Sequence, residues 1–411
     1  MMLEKIISIF GLFFVTSYVA KYIGPELFGV LSLAMAIFQI VQVIAQMGGD
    51  NIIFKRISNN RYSGIMLMVS STIMRTLFYF LLALPVVLYF YFYVGGYAFY
   101  FSIAVAVSCL FLSLDVISIY NNAVLQSKLN TIANAIGLTI SLLVRYLIAF
   151  FKFDPVYLCF PIVLAPAIPF FIKLYIFNKN NPYIISQSFK WGRTSFKYSK
   201  YMLFSGFSVV LASISIAIYT RVNQFFISEF LGNKELGLYA VAITLATSWG
   251  FVLSSVITSF YPSIYAEDNE KLAMRKTANL NRVVFGVGLI FCLMVILCGK
   301  FILAVLYGDE YSGAYHPMII LCFSTIFSSL GIVSYRFIIK YSGFSFISKK
   351  MFFVLVISIP ISASLIMWLG LAGAAISVVV IEILSLTVMN YFFKNGIILK
   401  MHAMSFFQRR G

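Results

Sequence analysis

Three arginines stand where a charge is hard to keep. Arg75, Arg145 and Arg221 each lie inside a long apolar run rather than in a hydrophilic connector. A charge at the bilayer centre costs roughly 2.5–3.5 kcal/mol on insertion scales, so each needs a partner or a task. Snorkelling to the interface or an internal ion pair would satisfy them. The chemical alternative is anion binding, because the planar guanidinium takes phosphate oxygens two at a time. The three are candidates for a cationic lining around an anionic head group. Among the acids, Asp50 ends the second apolar run beside a basic loop and reads as interfacial. Asp115, near the end of the fourth run, is placed to pair with Arg75 on the third. Glu382 lies midway along the last run with no partner near it in sequence. A carboxyl inside a membrane can carry a proton, so Asp115 and Glu382 are candidates for ion coupling.

Enzyme chemistry finds little support. The only histidines are His316, in a connector, and His402, near the end. No HExxH, GxSxG or phosphate-loop pattern occurs. Paired acids occur only as Glu267/Asp268 and Asp309/Glu310, in hydrophilic connectors where solvated charge explains them. The five cysteines, Cys109, Cys159, Cys292, Cys298 and Cys322, fall inside apolar runs without paired spacing. They read as small buried apolar residues, not as a disulfide frame or zinc site. The expectation is a non-enzyme without metal or cofactor.

The elements that must hold these residues are membrane helices. The 411 residues are 62% hydrophobic and 10% charged, far from the mixture of a soluble domain. A spanning helix needs roughly 20 apolar residues. Apolar runs fall near 6–23, 29–49, 65–94, 97–119, 131–151 and 156–177, then near 201–228, 236–262, 282–307, 315–338, 351–369 and 373–393. Lys5 precedes a long apolar run with no small-residue cleavage site, which reads as a retained first helix. The net charge of +17 is not gathered into a stripe for nucleic acid; the basic residues recur in short loops. One side of the alternating loops holds 23 Lys and Arg, and the other only Lys21, Lys152, Lys234 and Lys300. The richer side is cytoplasmic by the positive-inside rule, which places both termini there. The aromatic run Tyr89 to Phe101 reads as an interfacial belt. Pro85, Pro161, Pro166, Pro169 and Pro360 should kink their helices.

The chain also repeats itself. Residues 22–37 read YIGPELFGVLSLAMAI and residues 230–245 read FLGNKELGLYAVAITL. Gly24, Gly29 and Ala34 align with Gly232, Gly237 and Ala242 at a constant offset of 208. Pro25 and the flanking glycines suit a tight reversal between two helices. The predicted architecture is an all-α integral membrane protein of about twelve helices in two six-helix parallel-repeat halves. Residues 1–177 form the first half, 178–200 a basic cytoplasmic linker, 201–393 the second half and 394–411 a cytoplasmic tail. Parallel halves imply a midplane cleft whose exposure alternates as the halves rock.

The hairpin AKYIGPELFGVLSLAMAI (Ala20 to Ile37) resembles the opening signature of bacterial polysaccharide exporters, the Wzx-type O-antigen flippases. These belong to the multidrug/oligosaccharidyl-lipid/polysaccharide (MOP) superfamily, which also holds the MATE exporters. TRVNQFFISEFLGNKELGLYAVA (Thr220 to Ala242), LYGDEYSGA (Leu306 to Ala314) and GLAGAAIS (Gly370 to Ser377) are similar to later family segments, so the resemblance covers the chain. It implies a multi-pass protein of the bacterial inner membrane. Its substrate would be an undecaprenyl-pyrophosphate-linked glycan, an O-antigen or similar repeat unit, moved from the cytoplasmic to the periplasmic leaflet. Membrane lipid is the other implied partner, with a polysaccharide polymerase and a chain-length regulator in the same pathway. At Asn223 relatives often carry Asp after the arginine; the amide here puts ion coupling at that position in doubt, and Asn223 joins Asp115 and Glu382 as a coupling position to test. Two alternatives stand: a multidrug or cation-coupled exporter of the same superfamily, and a membrane polymerase or glycosyltransferase of the pathway. Carboxylates lining the cavity would mark the first, and a large outer loop or clustered outer acids the second.

Overall fold

A computed structural model of the protein describes residues 11–181 and 207–406. Most of the basic linker, and Lys5, Lys190, Arg193, Lys197, Lys200, Arg409 and Arg410, lie outside the described residues. Every regular element described is helical. With no water in hydrocarbon to satisfy backbone groups, a helix that closes its own hydrogen bonds is what such apolar segments can form.

The principal helices are α1 (Thr16–Gln46), α2 (Asp50–Asn59), α3 (Arg61–Tyr89), α4 (Gly96–Leu114), α5 (Val116–Ala123), α6 (Ser127–Phe150), α7 (Cys159–Asn180) and α8 (Phe207–Tyr219). They continue with α9 (Val222–Phe230), α10 (Asn233–Ser248), α11 (Gly250–Tyr265), α12 (Glu270–Leu306), α13 (Tyr315–Lys340), α14 (Phe344–Leu386), α15 (Val388–Tyr391) and α16 (Ile397–Phe406). Ten stretches of described helix are long and apolar enough to cross a membrane. Two of them, Phe13–Gln46 and Phe344–Tyr391, each contain a glycine that leaves helical geometry, Gly24 and Gly370. Just past Gly370, a Cβ on Gly373 would lie 1.9 Å from the carbonyl oxygen of Leu365. Eight residues of straight helix would separate those positions by about 12 Å, so the chain doubles back there. Split at these two glycines, the ten stretches give twelve helical segments among the described residues.

The chain divides into two compact units, Met1–Ala217 and Ile218–Gly411. The division falls inside α8, whereas the sequence places the boundary between halves in the 178–200 stretch. In the first unit α1 packs on α3 and α4, and α7 on α4 and α6. Phe38, Phe101, Tyr79 and Ala34 form its core. Tyr79 sends its hydroxyl to the Ala106 carbonyl at 2.5 Å, which satisfies the one polar atom of a buried ring. A second cluster, around Ile53, Ile57, Ile65 and Tyr120, joins α2, α3 and α5.

In the second unit α13 is the central helix and packs on α10, α12 and α14. Thr325 on α13 donates to the Ala246 carbonyl on α10 at 3.0 Å. Such interhelical bonds matter where lipid removes the hydrophobic drive for helix association. The stretch read as a tail contains a docked helix. In α16, Ile398 and Met401 are fully buried, and α16 packs on α12. Arg282 on α12 donates from Nε to the Ser405 carbonyl at 2.7 Å and from Nη2 to the Met404 carbonyl at 2.5 Å. Both carbonyls are in the last turn of α16, where backbone acceptors lack helical partners.

Candidate functional site

The structure separates the charged residues into closed pairs and open ones. Asp50 opens α2, a short helix that folds the second connector back against α3. That brings Asp50 Oδ1 to 2.7 Å from Arg75 Nη2. Arg75 Nη1 also donates to the Ser113 carbonyl at 3.3 Å. The pairing of Arg75 with Asp115 allowed by the sequence does not form, because the connector that supplies Asp50 is itself a helix packed on α3. Asp50 stays half exposed while Arg75 is buried.

Asp115 interrupts the fourth crossing. Helix α4 stops at Leu114, and Asp115 (φ −75°, ψ 54°) caps α5 by accepting the Ser118 amide at 3.3 Å and the Ser118 hydroxyl at 2.7 Å. Its other partner is Lys173, whose ammonium pairs with Asp115 Oδ2 and donates to Ser118 Oγ at 2.8 Å and Asn134 Oδ1 at 3.2 Å. By loop charge Lys173 counts among the cytoplasmic cations, but the residue is buried inside α7. The signal was present: Lys173 falls within the apolar run 156–177. An acid that caps a helix and holds a buried ammonium is fully committed.

Arg145 is different. It is partly buried on α6, and among the described residues it makes no hydrogen bond or ion pair. Arg221 stands at the break between α8 and α9, with Nη1 donating to Thr220 Oγ1 at 3.0 Å. Asn223, two residues on, is buried. Its Nδ2 donates to the Ala374 carbonyl at 3.1 Å, and Ser377 Oγ donates to its Oδ1 at 3.2 Å. This ties α9 to the second segment of α14. A carboxylate cannot donate to a carbonyl, so the amide suits this junction.

Glu382 lines a cavity of about 290 Å³ in the second unit, with Tyr219, Asn223, Thr247, Ser324 and Ser328. Two helix breaks, at Thr220–Arg221 and at Trp249, border it. The Thr247 and Ser324 hydroxyls donate to their own helix carbonyls, Ile243 and Leu321, each at 2.7 Å. A hydroxyl used in this way offers only acceptor lone pairs to the cavity. Glu382 makes no hydrogen bond or ion pair among the described residues. The cavity is thus lined by an acid, an amide, the Tyr219 phenol and several hydroxyls beside discontinuous helices, the arrangement that transporters use for ions and polar ligands. Lys350, another cation the sequence assigns to a loop, is buried in α14 and donates to Asn390 Oδ1 at 2.9 Å. Its position at the edge of a basic connector concealed it.

The described fold is similar along nearly its whole length to solved MATE transporters. An inward-facing multidrug resistance MATE family transporter of the MOP superfamily superposes with a TM-score of 0.64 at 14% identity, covering 98% of this chain and 96% of that one. An outward-facing structure gives a TM-score of 0.57 at 14% identity, with 98% and 95% covered. At this identity the likeness is one of fold. The chain is also 24% identical over 192 residues to the capsular polysaccharide biosynthesis protein CapF of Staphylococcus aureus. That match covers 46% of this chain and 47% of CapF, about half of the relative's length. Matched over residues 2–266 by the model of the polysaccharide biosynthesis proteins, this multi-pass membrane chain belongs to that family.

Proposed function

We propose that the protein flips an undecaprenyl-pyrophosphate-linked oligosaccharide from the cytoplasmic to the outer leaflet of the bacterial inner membrane by alternating access, with both termini cytoplasmic. The family match over residues 2–266 carries this reading. Arg145 supports the anionic part of the substrate. Its guanidinium, without an ion pair among the described residues, is free to take pyrophosphate oxygens in pairs. Arg221 is the second candidate, and Arg75, already paired with Asp50, is the weakest of the three. Glu382 is the coupling candidate that keeps an open carboxylate; Asp115 is committed to Lys173.

Outward movement of about two negative charges runs with an inside-negative potential. At about 100 mV that supplies roughly 4–5 kcal/mol, which biases flipping about a thousandfold or more. The test of the function is lipid-linked oligosaccharide in a deletion strain with and without this gene. Accumulation on the cytoplasmic leaflet that the gene relieves supports the reading. Unchanged lipid-linked intermediates would refute it.

A further inference from the structure

The cavity of the second unit has a mostly polar wall. Ten of its fifteen lining residues carry polar side chains, whereas small-molecule sites are lined mainly by apolar and aromatic ones. No lysine, arginine or histidine is among them. Ser324, Thr325 and Ser329 are buried, while Thr220, Thr247 and Ser254 are exposed, so the cavity is a recess with an entrance. Ser324, Thr325, Ser328 and Ser329 fall one turn apart on α13 and present a single hydroxyl stripe to it. Aliphatic side chains, Ile243, Ile332, Val378 and Ile381, complete the lining.

The state of these polar groups selects a ligand class. Thr325 and Ser329 donate to the Ala246 and Thr325 carbonyls at 3.0 and 2.8 Å and, like Thr247 and Ser324, keep lone pairs for an incoming donor. Ser254 Oγ, Ser328 Oγ, the Tyr219 hydroxyl and the Glu382 carboxyl make no hydrogen bond among the described residues. Those three hydroxyls can donate as well as accept. A metal ion uses acceptors alone, and pyrophosphate oxygens use donors alone. A ligand bearing several hydroxyls uses both. A wall without cations also leaves an anion with no counter-charge, the costly case for a buried charge. The volume of about 290 Å³ stands at the small end of ligand sites, which run from roughly 300 to 1,000 Å³, so it suits one ring and not a chain.

We propose that this cavity binds one uncharged sugar ring of the translocated glycan. Ring hydroxyls bond Glu382, Tyr219, Ser254 and Ser328, and the C–H face of the ring lies against the aliphatic side chains. A carboxyl oxygen is the strongest acceptor available to a sugar hydroxyl there when ionised. Asn223, engaged with Ala374 and Ser377, joins α9 to α14 and holds the shape of the wall. The pyrophosphate stays outside the cavity, so sugar and head group are held at separate places. The proposal rests on the flippase reading and adds to it a recognition site for the glycan itself.

Trp249, between the lining residues Thr247 and Gly250, reports on the cavity. In a Trp191→Phe/Trp368→Phe protein it is the only tryptophan left. Its fluorescence, checked by saturation-transfer NMR, should respond saturably to at least one methyl glycoside of glucose, galactose, mannose, N-acetylglucosamine or N-acetylgalactosamine. Methyl glucuronide, inorganic pyrophosphate, sodium and tetraphenylphosphonium should bind at least tenfold more weakly. Ser328→Ala and Glu382→Ala should each weaken the sugar at least fivefold in protein that still melts cooperatively. If either fails to fold, Ser254→Ala, on α11, takes its place with the same expected loss. Gly250→Val narrows the cavity beside Thr325 Cγ2, which lies 3.4 Å from where a Cβ would stand, and should remove binding. No response to any of the five glycosides would overturn the proposal, as would variants that bind like the wild type. Tighter binding of sodium would make the cavity an ion site, and of tetraphenylphosphonium a drug site; either overturns it. If the sugar binds but the gene relieves no accumulation of lipid-linked oligosaccharide, the flippase reading fails and the sugar site stands. If accumulation is relieved and no sugar binds, the sugar site fails alone.

Discussion

Gly24 and Gly232, 208 residues apart, hold the same backbone conformation, φ 75°, ψ 168° and φ 93°, ψ 174°. Both lie in the region open essentially to glycine alone. Gly308 repeats it at φ 86°, ψ 175°. At each of the three a helix resumes within one residue, so a single backbone device restarts the chain at corresponding turns of the two units.

At Gly232 the dihedral angle alone decides the cost of a side chain, since no atom lies within 4 Å of where a Cβ would stand. Gly232→Ala should destabilise the protein by about 1–3 kcal/mol. Gly286→Ala is the matched control: it has equal space, but helical geometry, and should be neutral or gain about 0.5–1 kcal/mol. Equal melting of the two variants in detergent would contradict the assignment.

The Asp50–Arg75 pair is asymmetric, with the arginine buried and the acid half exposed. Asp50→Ala should cost more than Arg75→Met, because only the former leaves a buried charge unpaired. The loss should stay at or below about 3 kcal/mol, since water screens Asp50. The order of the two melting temperatures checks this.

Arg145→Ala and Arg221→Ala should abolish export while leaving protein abundance intact. Lysine should rescue only in part, lacking the bidentate fork. Immunoblotting alongside surface polysaccharide staining separates the two effects. Full activity of both alanine variants would remove these residues from the site.

His402 on α16 lies between Ser334 Oγ at 3.2 Å and Tyr391 OH at 3.3 Å. Burial lowers its pKa from 6.5 to about 4. Between those values the unfolded chain takes up a proton that the folded chain refuses, so stability falls as pH drops from about 6.5 toward 4. The loss is at most about 3 kcal/mol. His402→Gln should flatten this part of a melting-temperature profile; an unchanged slope would assign it to other groups.

A periplasm-active reporter fused after Gly95 or Gly232 should be active, and one fused after Asn60, Ser188 or Lys349 inactive. Activity after Ser188 would reverse the orientation drawn from the loop charges.

Hydropathy, loop charge and the repeat are properties summed along the chain. For that reason the membrane class, the all-helical architecture and the glycine turns were legible in the sequence, as was the family resemblance in Ala20–Ile37. Charge partners were not. Arg75 meets Asp50 from 25 residues before it, and Asn223 meets Ala374 from 151 residues after it. Lys173 and Lys350 left the loops for the interior, and the supposed tail folded onto α12 through Arg282. Which partners meet depends on each helix's rotation about its axis and on which helices become neighbours. In lipid both the outer and the inner face of a helix are apolar, so the residue pattern fixes neither. Packing decided them, through small residues, helix breaks and the few polar groups that had to find one another.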